Sequence, residues 1–345
     1  MPRWTRLALL SLLTMLLAAA AGMGWWLNRP LDLATTPLEL VIEPGTLPRG
    51  VADAAVAAGV RTRSEWLYQW FRWSGQARDI KAGNYEIEAG TTPVSLLRKL
   101  ARGEESLQAV TLVEGWSLRQ VRAALRREPH LKPDTQALDD AQLMAALGRP
   151  GRAAEGRFFP DTYTYGKGAS DLAVLKRAMH AMDRELARAW ERREPRSVLR
   201  SAEEALILAS IVEKETGKPA DRTLISGVFH NRLRIGMPLQ TDPTVIYGMG
   251  ERFDGNLRRR DLQTDTPWNT YTRNGLPPTP IAITGRAALL AAVQPAESKA
   301  LYFVARGDGS SHFSETLDEH NRAVDRYQRA PARQRAAAAA QGGGS

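Results

Sequence analysis

The sequence predicts an α+β protein: a membrane-length N-terminal helix, a small strand–helix–helix–strand module, and a larger α+β domain. Three observations carry that expectation. An uncharged run, LALLSLLTMLLAAAAGMGWWL, fills residues 7–27. Beyond it, short apolar stretches set off by Pro and Gly alternate with segments of helical periodicity. At 345 residues the chain has room for two domains of ordinary size, roughly 100–200 residues each.

The N-terminal run comes first. Its length, at about 1.5 Å per residue, gives a helix of roughly 31 Å, enough to cross a hydrocarbon core. Trp25 and Trp26 stand at its far end, where aromatic side chains meet headgroups. Ala18-Ala19-Ala20 also fits a signal-peptide cleavage site, but the apolar stretch outlasts the roughly 7–15-residue core of such a peptide. An uncleaved anchor at 7–27 is the expectation. Arg3 and Arg6 then put residues 1–6 in the cytoplasm by the positive-inside rule, and everything after a linker at 28–37 on the other side of the membrane.

The small module is expected over residues 38–108. Leu38–Ile42 reads as a strand turned by Pro44-Gly45, and helices follow at Pro48–Ala58 and Ser64–Trp73. In the second helix Ser64 is the expected N-cap, with Trp66, Leu67, Trp70 and Phe71 on one face. A strand at 81–87 and a helix at Pro93–Arg102, capped by Thr92, complete it. This order resembles a LysM-like wall-binding module, and a generic α+β packing unit has the same order. The larger domain is expected over 109–329: a strand at 110–113, a helix from Ser117, an aromatic loop at 155–163 and a long helix at 172–193. A helix opened by a Ser201–Glu204 capping box, a strand at 301–305 and a closing helix at 318–329 follow. Residues 330–345, Ala/Arg-rich and then Gln-Gly-Gly-Gly-Ser, read as a disordered tail.

Composition narrows the chemistry. The chain has no cysteine, which excludes disulfides, thiolate nucleophiles and Cys-ligated metals. Its five histidines show no metal-ligand spacing, so neither a metal nor a cofactor is expected. The net charge of +9 is interspersed with acids, as in Arg126-Arg127-Glu128, which argues against nucleic acid. It suits anionic lipid or an acidic wall polymer instead.

The densest chemical signal lies between 206 and 250. Counting back three, four and seven residues from Glu215 gives Val212, Ile211 and Leu208, an apolar stripe carrying one carboxyl group. Glu213 lies about 200° around the helix, on the more mixed face of Ser210, Ala209 and Leu206, so the two glutamates do not share a cleft. Apolar neighbours and the negative end of the helix, just before Gly217, both favour the protonated form of Glu215, as a general acid requires. A bland reading pairs Glu215 with Lys214, Lys218 or Arg222; spacing alone does not choose between them. Asp242 reads first as a turn residue before Pro243 and second as the other carboxyl of a hydrolase. Gln240, Thr241, Tyr247, Asn269, Tyr271 and Tyr163 are candidates to line a sugar cleft, and each equally suits loop packing. His230 reads as helix support.

The stretches Ala209-Ser210-Ile211-Val212-Glu213-Lys214-Glu215-Thr216, Asn231-Arg232-Leu233 and Gln240-Thr241-Asp242-Pro243-Thr244-Val245-Ile246-Tyr247-Gly248 closely resemble the endolytic murein transglycosylases, the MltG or YceG-like family. Asn269-Thr270-Tyr271, Gly275-Leu276-Pro277-Pro278, Glu155-Gly156 and Phe159-Pro160-Asp161-Thr162-Tyr163 match as well. The resemblance implies cleavage of the MurNAc-β-1,4-GlcNAc bond of nascent peptidoglycan strands, leaving 1,6-anhydro ends and terminating elongation. It implies Glu215 as the acid/base and peptidoglycan synthases as partners; Asp242 joins the candidates for the substrate site, and the N-terminal anchor gives an inner-membrane location with a periplasmic catalytic domain. The rival readings are a membrane-anchored glycan-binding scaffold without catalysis, and a glycan hydrolase.

Overall fold

A computed structural model describes residues 3–330 of the chain. The tail expected at 330–345 and the first two residues of the cytoplasmic segment therefore fall almost wholly outside the described residues. The protein is a mixed α+β chain whose contacts divide it into two units, 1–109 with 164–169, and 110–163 with 170–345.

In the first unit, helix α1 runs from Arg3 to Asn28. Within it Leu10–Asn28 has a mean hydropathy of 1.6, long and apolar enough to cross a membrane. Strand β1 (Leu38–Ile42) pairs antiparallel with β2 (Gly83–Ile87), and α2 (Pro48–Ala58) and α3 (Ser64–Trp73) lie between them in sequence. Alternation on β1 buries Leu38, Leu40 and Ile42 and leaves Glu39 and Val41 outside, the period of a strand with one wet face. Helix α4 (Pro93–Arg102) starts as its sequence requires: the Thr92 hydroxyl accepts from the Ser95 N–H, and the Ser95 hydroxyl accepts in return from the Thr92 N–H. Leu96, Leu97 and Leu100 then join Leu67, Phe71 and Tyr85 in the core.

Two local expectations for α3 change. Arg63, not Ser64, occupies the cap position, and no side chain caps the helix. Of the four residues read as one buried face, only Leu67 and Phe71 are inside; Trp66 is 47% exposed. A ten-residue helix lying on a small core buries a narrow stripe, and positions 66 and 70 fall at its margins.

Strand β3 (Leu107–Thr111) starts before the expected 110–113, and it pairs with β4 (Thr162–Gly166). The end of the aromatic segment read as a loop is thus a strand, Tyr163 and Tyr165 alternating inward. In the second unit α5 (Leu118–Arg127) and α6 (Asp140–Ala146) precede α7 (Asp171–Glu191). Then come α8 (Ala202–Glu215), α9 (Pro219–Arg234), α10 (Asp242–Met249), α11 (Arg259–Gln263) and α12 (Arg286–Val293). An antiparallel pair, β5 (Tyr302–Ala305) and β6 (Ser311–Ser314), leads to α13 (Leu317–Val324), whose last turns widen over Asp325–Arg329.

Helix α8 is the axis of this unit. It packs against α7, α9, α10 and α12 at once. Every residue from Ala205 to Val212 is buried, so the helix is apolar all round rather than along one stripe. The mixed face counted back from Glu213 is as dry as the stripe counted back from Glu215. Ser210 is accommodated there because its hydroxyl donates to the Ile207 carbonyl and accepts from the Ile281 N–H. The expected capping box is half made: the Ser201 hydroxyl accepts from the Glu204 N–H, while the Glu204 carboxylate accepts from the Arg200 N–H instead.

Candidate active site

Glu215 is the last residue of α8, where the chain turns to extended backbone at Thr216. The loop after α9 brings Thr241 against it. That loop is held from beneath by Arg232, which is buried; its Nε donates to the Leu301 carbonyl and its Nη1 to those of Pro238 and Leu239. At the end of the loop Gln240 adopts φ +48, a left-handed conformation that a non-glycine residue holds only when its surroundings impose it. Its N–H donates to the Thr270 carbonyl at 3.0 Å, and the Thr241 N–H to the Thr270 hydroxyl at 3.1 Å.

Thr241 stands at the cap position of α10, yet its hydroxyl caps no backbone N–H. It donates to Oε1 of Glu215 instead. The capping group of one helix is thus diverted to the terminal carboxyl group of another. Asp242, expected as a turn residue, is the first residue of α10, because Pro243 fits the first helical turn as readily as a turn. Its Oδ1 accepts from the Tyr271 hydroxyl at 2.6 Å.

These neighbours set the protonation of Glu215. Burial raises its pKa from 4.5 to about 7, the Thr241 hydrogen bond opposes that, the Asp242 charge adds to it, and Arg232 opposes it. Glu213, two residues earlier, is used differently. Its Oε2 accepts from the Gly285 N–H at 2.9 Å, and Oε1 lies 3.5 Å from Arg222, so it is tied into the fold away from Glu215. Burial raises its pKa as well, with the Gly285 bond opposing. Burial therefore acts on both glutamates of the helix end. What distinguishes Glu215 is its partner set: the Thr241 hydroxyl and a neighbouring carboxylate, with no ion pair to Lys214, Lys218 or Arg222.

A cleft of this unit has a volume of about 930 Å³, and Lys214, Pro243, Ile246, Tyr247 and Glu155 are among the residues lining it. Lys214 and Pro243 are the chain neighbours of Glu215 and Asp242, and the cleft follows α10 through Pro243, Ile246 and Tyr247 without Glu215 in its lining. Glu155 was legible in the sequence only as part of a matching stretch. Its two oxygens accept from the Leu118 N–H at 2.9 and 3.1 Å, and Oε1 also accepts from the Gly156 N–H at 3.2 Å. Tyr247 bonds to it too, and burial holds its pKa at about 7 against these bonds. Glu155 joins the start of α5 to α10 across the cleft floor.

Gln240, Thr241, Asp242 and Tyr271 thus gather around Glu215, while Tyr247 belongs to the adjoining cleft, its ring packed on Trp268 at 5.3 Å. Two candidates are engaged elsewhere. The Asn269 amide is buried and donates to the carbonyls of Asp261, Leu262 and Thr264. Tyr163 donates from its hydroxyl to the Phe159 carbonyl at 2.8 Å. His230 is buried between Ser197 and the Ser226 carbonyl, as helix support.

A carboxyl group whose pKa burial raises to about 7, at a helix end, is suited to general acid/base chemistry. Comparison with known proteins gives that class a family. Residues 40–326 match the YceG-like family, and the chain belongs to it. It is 32% identical over 302 residues to a Bacillus subtilis protein named endolytic murein transglycosylase, covering 81% of this chain and 83% of that one. A Streptococcus pneumoniae protein of the same name is 29% identical over 279 residues, which is 71% of this chain; the match spans half of that relative's length. A crystal structure of a YceG-like protein from Listeria monocytogenes superposes with a TM-score of 0.56 at 29% identity, covering 84% of this chain and 99% of that one.

Proposed function

We propose that this protein is an endolytic murein transglycosylase, cutting peptidoglycan glycan strands internally with Glu215 as its acid and base. The observation that carries the reading is the environment of Glu215: a carboxyl group near pKa 7 with a single hydroxyl donor on Oε1. Protonated, it donates to the glycosidic oxygen between MurNAc and GlcNAc as the C1–O bond breaks. Ionised by that transfer, it removes the proton from the C6 hydroxyl of the same muramyl residue. That oxygen attacks C1, closing the 1,6-anhydro ring. One carboxyl group serves both steps because the nucleophile belongs to the substrate and is already near the reacting carbon. A hydrolase needs a second carboxylate to activate water. Asp242 is the nearest candidate, and its Oδ1 is occupied by Tyr271.

Gln240, Thr241, Asp242 and Tyr271 contact the sugars at the acid, and the cleft along α10, with Tyr247, receives the strand on one side. Helix α1 anchors the chain in the inner membrane with Arg3 and Arg6 in the cytoplasm, so that the catalytic unit is periplasmic. The β1–α2–α3–β2 order supports a LysM-like role for the small module, and peptidoglycan synthases are the expected partners. The test is product analysis on uncrosslinked glycan strands by mass spectrometry. Anhydro-ended fragments are expected from the native chain and none from Glu215→Gln; reducing ends would establish hydrolysis, and undiminished cutting by the variant would exclude Glu215.

A further inference from the structure

The small unit carries aromatic side chains that its core does not use. On α3, Trp66 and Trp73 are 47% and 67% exposed, while Leu67 and Phe71 are fully buried. Residues seven apart share a helix face, so the two indoles form one outward ridge with about 10 Å between them along the axis. Gln69 lies between them on that face. A water-facing helix with two large indoles on its wet side is unusual unless something covers them.

The structure says how this ridge stands relative to α1. Trp26 packs against the core of the small unit, and its ring meets Trp66 edge-on, with centroids 5.7 Å apart. Trp26 is also in the last turns of the candidate span Leu10–Asn28. The interfacial layer on each side of a bilayer is roughly 5–7 Å deep, half the difference between the full and the hydrocarbon thickness. With Trp26 in that layer, a ring 5.7 Å away stays in or beside it at any tilt of α1. Cations accompany the indoles. The Arg29 guanidinium lies 4.9 Å from the Trp25 ring centre, and that of Arg63 lies 5.8 Å from Trp66. Indole with arginine is the pairing that suits the apolar and phosphate levels of a headgroup region.

We propose that α3 is an interfacial helix. Trp66 and Trp73 lie among anionic phospholipid headgroups where α1 leaves the bilayer, and the small unit is seated on the membrane surface rather than held off it. The proposal rests on α1 spanning the membrane, and the test separates the two. The chain has no cysteine, so a single introduced one takes a nitroxide label uniquely. Full-length protein carrying Gln69→Cys, Leu16→Cys or Asp318→Cys is reconstituted in vesicles of phosphatidylethanolamine and phosphatidylglycerol. Collision with oxygen, which partitions into lipid, is compared with collision with a water-soluble nickel chelate. The label at position 69 is expected to show an oxygen-to-nickel ratio several-fold above that at 318 and below that at 16. Adding Trp66→Ser and Trp73→Ser is expected to return it to the value at 318. A position-69 label matching 318 while position 16 remains in lipid overturns the docking of α3 alone. Labels at 16 and 69 that both match 318 overturn the anchor and the docking together. A ratio at 69 that is high but indifferent to loss of both tryptophans overturns their role.

Discussion

Replacing Glu215 by Gln separates catalysis from stability in one variant. The folded protein holds this carboxyl group at about pH 7 against 4.5 in the unfolded chain, so the folded state binds the proton more tightly. Below pH 4.5 both states are protonated and the group has no net effect. As pH rises from 4.5 to 7 the unfolded chain ionises first, and stability is lost. Above pH 7 the loss is complete, on the order of 3 kcal/mol. Glutamine is neutral at every pH and still accepts from Thr241. Glu215→Gln is therefore expected to melt with the native chain at pH 4 and above it at pH 8, by about 5–10 °C for a unit of this size. Its transglycosylase activity is expected to fall on the order of 10³-fold, because a general acid is absent. The assays are thermal melts at the two pH values and fragment counting by mass spectrometry. Equal melting at pH 8 would refute burial as the cause of the raised pKa, and retained activity would refute the assignment of the acid.

Asp242→Asn keeps an acceptor for Tyr271 but removes the charge that raises the Glu215 pKa, so the alkaline limb of kcat/KM against pH is expected below 7 with anhydro products unchanged. Thr241→Val removes the bond that lowers that pKa, and the same limb is expected to move above 7. Arg232→Met strips donors from the carbonyls of Leu301, Pro238 and Leu239, and denaturant titration is expected to show a loss of about 3 kcal/mol. Gly156→Ala meets a φ of +76 and puts a Cβ 2.4 Å from that of Pro280; a loss of about 2 kcal/mol or more is expected in the same titration.

Much of the first unit was legible because its elements are short and amphipathic. Helices α2, α3 and α4 begin and end where Pro, Thr and Gly punctuate the chain, and β1 alternates cleanly. The apolar run of α1 identifies itself by length. The second unit yielded less. Helix α10 was hidden behind Asp242-Pro243, which suits a turn as well as a helix start, and β4 starts inside the segment read as a loop, so its Thr-Tyr alternation over 162–165 was divided at Tyr163.

The helical-phase argument for Glu215 rested on an incomplete premise. It assumed that α8 had one dry face, whereas four neighbouring helices enclose it and both Glu213 and Glu215 leave water. By itself the sequence determined the membrane-length helix, the small module's elements and the family, and it singled out one glutamate at the end of an apolar helix as the candidate acid. Only the tertiary structure decided how each carboxyl group is used. Glu213 goes to the Gly285 N–H and Arg222, and Glu155 fastens α5 to α10. Glu215 is left with the Thr241 hydroxyl, brought to it from 26 residues further along the chain. The physical reason is that periodicity reports how a segment repeats along its own axis, while a pKa is set by whatever other segments bring to within a few ångströms.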